Sequence, residues 1–180
     1  MSRPPHAREK VLDAFEAALI DGGARSATMD AVAAAAGVSK GGLLYHFASK
    51  DALEGALLER LERLVEEDLD DMSADAEGVV ATFIRTSLHT DSPLDRAIVA
   101  ASRLAQTGHA DAAASLRRVR TRWEEALRPH TRDETALQLV LLVSDGLYFN
   151  SALGEGALPG PLPRGADLDA LIALVERAAR

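Results

Sequence analysis

The chain has 180 residues, 47 % of them hydrophobic, and a net charge of −8, which suits one domain or two small ones with an apolar core. It has no cysteine, which excludes disulfides, thiolate metal sites and cysteine nucleophiles. The negative net charge argues against a protein that binds polyanions nonspecifically. We expect a cytoplasmic protein, because neither a membrane span nor a signal peptide is visible.

Apolar residues at three-to-four spacing predict helices nearly throughout, and no alternating run indicates a strand. The first four helices have clear start and stop signals. In chain order, Gly22-Gly23 ends the first helix, Thr28 caps a short second one, Gly37 ends it, Ser39 caps a third over residues 40–47, and Ser49 caps a fourth that runs to about Met72.

Five further helices are predicted over residues 77–90, 93–107, 111–128, 131–153 and 167–179. Thr131 with Glu134 three residues later forms a capping box at the start of the eighth helix. Residues 154–165 carry several prolines and are predicted to form a loop. The fold class is therefore all-α, with about nine helices.

Charge is unevenly distributed along the chain. The first 47 residues hold as many basic as acidic side chains, whereas residues 48–75 hold a large acidic excess. We interpret this acidic run as the solvated end of a helix. Because a helix rises about 1.5 Å per residue, Glu67 lies about 25 Å from Lys50, beyond a Debye length of roughly 8–10 Å. A ligand phosphate near Lys50 is therefore little affected by that charge.

The second and third predicted helices are joined by a turn that contains glycine, which is the pattern of a helix-turn-helix. Gly37 suits a left-handed backbone position in the turn, and Val38 can fill the angle between the helices. Ser39 caps the next helix and leaves its N-terminal amides facing outward. That helix end can bind phosphate or approach base edges.

Residues 28–53, TMDAVAAAAGVSKGGLLYHFASKDAL, resemble the DNA-binding signature of the TetR family of transcriptional regulators. The shared elements are a Thr cap, an apolar-Ala pair, Ala-Gly-Val-Ser, a Tyr, a Phe and a Ser-Lys-acid-x-Leu tail. The resemblance implies a three-helix DNA-binding domain over residues 1–48 and a helical effector-binding and dimerisation domain over 49–180. The pair Gly41-Gly42 departs from it and costs roughly 1–2 kcal/mol of helix propensity. These glycines either allow close approach to DNA or leave the helix loosely formed.

The resemblance also implies a set of DNA-contacting residues. Lysine, hydroxyl and imidazole groups can all donate to phosphate oxygens, and Lys40 could also reach a base edge. The alternatives are that Ser39 is only a cap and that Tyr45 packs against the first helix. The predicted DNA-binding residues are Thr28, Ser39, Lys40, Gly41, Leu44, Tyr45, His46 and Lys50.

A small-molecule site is predicted in the C-terminal part, where apolar helix faces carry a few polar groups. The alternative is that the same residues fill a core. Asp145 is polar within an apolar helix and needs a partner, for which Arg103, Arg122 or a ligand amine are candidates. The predicted ligand-binding residues are Phe83, Ser87, Leu104, Trp123, Leu127, Asp145 and Tyr148.

The last two predicted helices carry apolar faces that could pair two subunits as a four-helix interface, as in the resembled family. The alternative is burial within one chain. The residues on these faces are Leu139, Leu142, Val143 and Leu147 in the eighth helix and Leu168, Leu171, Ile172 and Val175 in the last.

The sequence carries no nucleophile elbow, no phosphate-binding loop and no histidines at metal-ligand spacing, so we expect neither an enzyme nor a bound metal or cofactor. We predict a homodimeric repressor that binds a near-palindromic double-stranded DNA operator and is released by a small-molecule effector. The alternative is a helical ligand-binding or interaction protein whose helix-turn-helix no longer reads DNA.

Overall fold

The computed structural model describes residues 6–152 and 162–180. These ranges form nine α-helices and a short 3-10 helix, Arg128–His130, without any strand, so the all-α prediction is confirmed. Most of the loop predicted over 154–165 lies outside the described residues. The helices are α1 His6–Gly22, α2 Met29–Ala35, α3 Lys40–His46, α4 Lys50–Ala74, α5 Val79–Thr86, α6 Pro93–Ala105, α7 Ala110–Leu127, α8 Glu134–Ala152 and α9 Ala166–Ala179. None of the helices in the described ranges is long and apolar enough to cross a membrane.

The predicted caps of α2, α3 and α4 are confirmed. Gly37 has φ +68°, a left-handed conformation that ends α2 and turns the chain toward α3. Each capping hydroxyl accepts a hydrogen bond from the backbone N–H three residues later: Thr28 from Ala31 at 3.2 Å, Ser39 from Gly42 at 3.1 Å and Ser49 from Ala52 at 3.1 Å.

The predicted cap of α8 is wrong. Thr131 follows the 3-10 helix in an extended conformation, and its hydroxyl donates to the Arg128 carbonyl. The cap is Asp133, whose carboxylate accepts from the Ala136 N–H at 2.8 Å. That bond holds the pKa of Asp133 below its usual value. Glu134 forms an ion pair with Arg128 instead of closing a capping box.

The fifth helix is shorter than predicted. Gly78 has φ +94°, so regular helix begins only at Val79. At the other end, the chain tightens after Thr86 and reaches Asp91, which has φ +64°. The conformation of Gly78 therefore sets the start of the helix, and the turn between Thr86 and Asp91 replaces its predicted last residues.

The described chain forms two compact units. The first comprises residues 6–65 and 93–118, in which α1 packs against α2, α3 and α6. Its core contains Phe15, Val32, Leu43, Phe47 and Leu53, all of which are buried. Val38, expected to fill the angle between α2 and α3, is only half-buried.

The second unit comprises residues 66–92, 119–152 and 162–180, in which α5, α8 and α9 pack against one another. Four residues predicted to face a second subunit are buried in this core instead: Leu147, Leu168, Ile172 and Val175. The two units cut across α4 and α7, so each of these helices contributes to both. The predicted functional boundary between residues 48 and 49 stays a prediction.

Arg60 of α4 connects three helices of the first unit. Its side chain is only 11 % exposed, and its guanidinium lies 2.7 Å from Glu9, 2.8 Å from Asp13 and 3.3 Å from Glu16. Glu16 is also buried and pairs with Arg96 of α6 at 2.9 Å. The hydrogen bond from Arg60 lowers the pKa of Glu9. A buried guanidinium needs such partners, because an unpaired buried charge is strongly destabilising.

Replacing Arg60 therefore provides a test of this network. We expect Arg60→Met to lower the free energy of unfolding by about 3 kcal/mol, the low end for a broken buried ion pair, because Arg96 still neutralises Glu16. Arg118→Met is the matched control: it removes an exposed pair with Glu62 and should cost less than about 1 kcal/mol. Urea denaturation of the two variants measures the difference, and equal losses would contradict a structural role for Arg60.

Candidate nucleic-acid interface and ligand site

The recognition helix α3 presents several predicted DNA-binding residues to solvent. Tyr45 is 83 % exposed and Leu44 is 42 % exposed, which is unusual for large apolar side chains. The ring of Tyr45 meets that of His46 edge-on, with centroids 5.2 Å apart. This exposure contradicts the alternative that Tyr45 packs against α1.

The two glycines of α3 have different surroundings. A Cβ added at Gly41 would meet open space, whereas one at Gly42 would lie 3.2 Å from the capping hydroxyl of Ser39. Gly42 therefore leaves room for the cap, and Gly41 leaves the outer surface of the helix flat. Thr28 and Ser39 are exposed caps, so their hydroxyls are accessible at the N-termini of α2 and α3.

Lys40, the first residue of α3, is held by an acid that the sequence analysis did not consider. Its ammonium lies 2.9 Å and 3.1 Å from the two carboxylate oxygens of Asp30 in α2. The partners are ten residues apart and on different helices, so no helical spacing rule identifies them.

Lys50 is also engaged within the chain. Its ammonium donates to the Ala24 carbonyl at 2.9 Å and lies 3.9 Å from the Glu54 carboxylate. Glu54 is buried and meets Nε2 of His109 at 3.3 Å, while Nδ1 of His109 accepts from the Ala112 N–H at the start of α7. A phosphate contact by Lys50 thus requires it to exchange partners, and that contact stays a prediction.

Two aromatic residues predicted for the ligand site are in contact in the second unit. The rings of Phe83 and Trp123 lie 5.9 Å apart at a 59° angle, and Leu127 is buried in the same core. The Trp123 indole donates to the Asp68 carboxylate at 2.9 Å. Asp68 belongs to the acidic run, so the interpretation of that run as a solvated helix end was incomplete.

Burial raises the pKa of Asp68 above its usual value, and nearby Asp71 adds to the increase, while the hydrogen bond from Trp123 partly opposes it. The donor is a neutral indole, not a cation. By contrast, Glu66 on the same helix forms an ion pair with Arg122 of α7. Asp68 is therefore a half-buried carboxylate whose hydrogen-bond donor is a neutral side chain.

Hydroxyl groups lie on the neighbouring helices of this unit. Ser87 donates to the Phe83 carbonyl at 2.9 Å, and its oxygen lies 2.6 Å from that of Ser144. Thr82 is also buried, and its hydroxyl is the buried side-chain polar atom without a hydrogen-bond partner in the described part of the chain. These groups give the apolar core a small polar content.

The remaining predicted ligand residues are less well supported. Asp145 is exposed and pairs with Arg120 at 2.8 Å, so the expected partners Arg103 and Arg122 are wrong. Leu104 is buried in the first compact unit, whereas the other predicted ligand residues belong to the second. Tyr148 is half-buried. Within residues 6–152 and 162–180, no group of three acidic or histidine side chains is placed to hold a metal ion.

Two family models match the sequence. The model described as "Bacterial regulatory proteins, tetR family" matches residues 11–57. The model described as "Tetracyclin repressor-like, C-terminal domain" matches residues 77–176. No curated protein shows a significant match.

Several solved structures are similar over nearly the whole chain. A transcriptional regulator from Rhodococcus sp. Rha1 is 23 % identical with a TM-score of 0.61, covering 96 % of this chain and 97 % of its own. The multidrug binding protein EbrR, complexed with imidazole, is 22 % identical with a TM-score of 0.59, and the match covers 98 % of this chain and 92 % of EbrR. A gamma-butyrolactone receptor is 22 % identical with a TM-score of 0.62, and the match covers 98 % of this chain and 100 % of the receptor. At these identities the likeness shows a common fold.

The environment of Asp68 predicts how stability depends on pH. Because burial raises its pKa, the ionised carboxylate costs stability at neutral pH, and the cost disappears as the pH falls below the usual value of 3.8. Asp68→Asn keeps an oxygen to accept from Trp123 and removes the charge. We expect this variant to melt at a higher temperature than wild type at pH 7, with a gain that shrinks toward pH 4.

The exposed neighbour Asp70 provides the control, because Asp70→Asn removes the same charge from the same helix without a buried environment. Its melting temperature should follow wild type across the pH range. A lower melting temperature for Asp68→Asn at pH 7 would contradict the proposed cost and show that the carboxylate stabilises the fold.

Proposed function

The chain belongs to the TetR family of bacterial transcriptional regulators, and on that premise we propose that it is a non-enzymatic repressor released from its operator by a small-molecule effector. The main support for DNA binding is the surface of the recognition helix α3, on which the side chain of Tyr45 is 83 % exposed. A phenol with no core contact at this position is suited to donate to a phosphate oxygen. Lys40 at the N-terminus of the same helix is suited to reach base edges.

A homodimer is supported by an exposed apolar stripe on α8. Leu139, Leu142 and Phe149 are 38 %, 65 % and 60 % exposed and share one helix face, and Leu174 of α9 is 55 % exposed. Contiguous exposed apolar surface on a soluble protein indicates an interaction site. The face differs from the predicted one, because Phe149 and Leu174 replace residues that pack inside the chain.

A two-fold dimer would place two recognition helices in successive major grooves. Their centres must then lie about 34–36 Å apart, and the operator must be nearly palindromic. An effector shifts the conformational equilibrium away from this arrangement only to the extent that it binds another conformation more tightly.

We propose that the effector contacts the aromatic pair Phe83 and Trp123. Ser87 directly after α5, Leu127 of α7 and Tyr148 of α8 belong to the same compact unit and complete the proposed site. Trp123 is bonded to Asp68, and α4 is one continuous helix from Lys50 to Ala74. A ligand that displaces the indole would therefore disturb the helix whose first residue is a predicted DNA contact. The chemical class of the effector stays open.

The alternative function is a helical ligand-binding protein whose helix-turn-helix no longer reads DNA. Its support is the Gly41-Gly42 pair and the balanced charge of the first 47 residues. Against it, α3 forms a capped helix with exposed DNA-binding candidates. DNA affinity at two salt concentrations distinguishes the two, because DNA binding through phosphates weakens steeply with salt.

The DNA-binding function is tested by selection from a pool of duplexes with a randomised centre, followed by affinity measurements on the enriched sequence. Tyr45→Phe removes one hydroxyl from an exposed ring, so the fold should be unchanged. We expect affinity for the enriched duplex to fall roughly tenfold, the effect of one hydrogen bond to a charged group. The only other tyrosine, Tyr148, provides the control when no effector is present: under that condition Tyr148→Phe should bind this duplex as wild type does. Failure of wild type to enrich any sequence would refute the DNA-binding function.

The dimer is tested by sedimentation at micromolar concentration, where we expect twice the chain mass of 19.1 kDa. Leu142→Glu places a charge in the middle of the exposed stripe and should give a monomer, because burying an unpaired charge opposes association. Leu44→Glu, which alters an exposed leucine of α3, should remain dimeric. A wild-type monomer under these conditions would rule out both the dimer and the palindromic operator.

A further inference from the structure

The ion pair between Asp30 and Lys40 joins the two helices of the helix-turn-helix. Asp30 is the second residue of α2, and Lys40 is the first residue of α3. The ammonium lies within 3.1 Å of both carboxylate oxygens, so it faces the carboxylate group as a whole. The end of the recognition helix thus presents a positive and a negative group side by side.

Stability does not account for this pair. The side chains of Asp30 and Lys40 are 72 % and 59 % exposed, and exposed ion pairs contribute little to folding. An acid in the first turn of a helix is favoured by the helix dipole, but that effect requires no lysine partner. The same effect would apply to Asp111, the second residue of α7.

The pair is poorly suited to bind a phosphate. A lone lysine neutralises a phosphate and releases a counterion, whereas a lysine beside a carboxylate belongs to a group with no net charge. The carboxylate is also repelled by phosphates on either side of the groove. Base edges differ, because every base pair offers both acceptors and a donor in the major groove. A lysine prefers O6 and N7 of guanine, and a carboxylate accepts from N4 of cytosine, so the two side chains together match a G·C pair.

Accepting the DNA-binding function proposed above, we propose that Asp30 is a specificity-determining residue that reads a G·C pair together with Lys40. Lys40 donates to O6 or N7 of guanine, and Asp30 accepts from the N4 amino group of cytosine. Asp30 also lowers affinity for nonspecific DNA, because it offsets the charge of Lys40 wherever no cytosine amino group is available.

The experiment uses the full-length chain and the duplex enriched from the randomised pool. Each base pair of one half-site is changed in turn, and affinities are measured for wild type, Asp30→Asn and Lys40→Ala. We expect a G·C pair whose replacement weakens wild-type binding about fivefold to a hundredfold, and we expect both variants to lose that discrimination at the same base pair. Asp30→Asn should also bind nonspecific duplex more tightly, with a salt dependence steeper by about 0.9 because Lys40 is free to neutralise a phosphate.

Asp111→Asn is the matched control, because it removes the same charge from the same position of a helix outside the helix-turn-helix. It should discriminate as wild type does, and circular dichroism should show unchanged helicity for every variant. Two outcomes overturn the inference: Asp30→Asn retains discrimination at every position, or Lys40→Ala weakens all duplexes equally with a shallower salt dependence, as a phosphate contact would. If wild type enriches no sequence, the DNA-binding function itself fails, and this inference fails with it.

Discussion

Carboxylates of α4 pair with side chains of α7 and with His109 just before it, and the proposed path from effector to DNA depends on this pairing. In the first unit, Glu54 meets His109, and Glu62 accepts hydrogen bonds from Ser115 and Arg118. In the second unit the pairs are Glu66 with Arg122 and Asp68 with Trp123. The partners are 53–56 residues apart in sequence in all five pairs, so the pairs within each unit follow a similar offset between the two segments. Part of the acidic excess of residues 48–75 is thus engaged in contacts with residues of α7 and with His109.

This pairing explains how an acidic chain is compatible with DNA. The arginines of α7 offset the carboxylates of α4, and the N-terminal helices are close to neutral. Two basic side chains of the candidate interface have partners of their own, since Lys40 pairs with Asp30 and Lys50 donates to the Ala24 carbonyl. A phosphate contact by either lysine therefore requires that lysine to exchange a partner. That exchange weakens nonspecific binding more than binding to a sequence that offers matching groups.

The sequence predicts those parts of the structure that depend on neighbouring residues. The caps at Thr28, Ser39 and Ser49 and the turn at Gly37 are local, and each follows from the chemistry of a few consecutive residues. At the start of α8 the candidate caps Thr131 and Asp133 lie two residues apart. Thr131 bonds back to the 3-10 helix before it, and Asp133 is the residue that caps α8. The pairs that define the candidate sites are not local. Asp30 with Lys40, Asp68 with Trp123 and Asp145 with Arg120 depend on how helices face one another, which helical spacing within one segment cannot predict.

The contact between Trp123 and Asp68 limits how an effector can act in the proposed mechanism. Asp68 is a half-buried carboxylate whose pKa is already raised by burial, and the indole N–H is one of the few interactions that stabilise its charged form. A ligand that rotates the Trp123 ring away from Asp68 removes that stabilisation. The carboxylate must then gain a proton, meet a positive group of the ligand, or move toward water, and a movement of α4 is one way to achieve the last of these. Ligand binding and DNA binding would then be coupled through the same helix, and each would weaken the other by an equal factor.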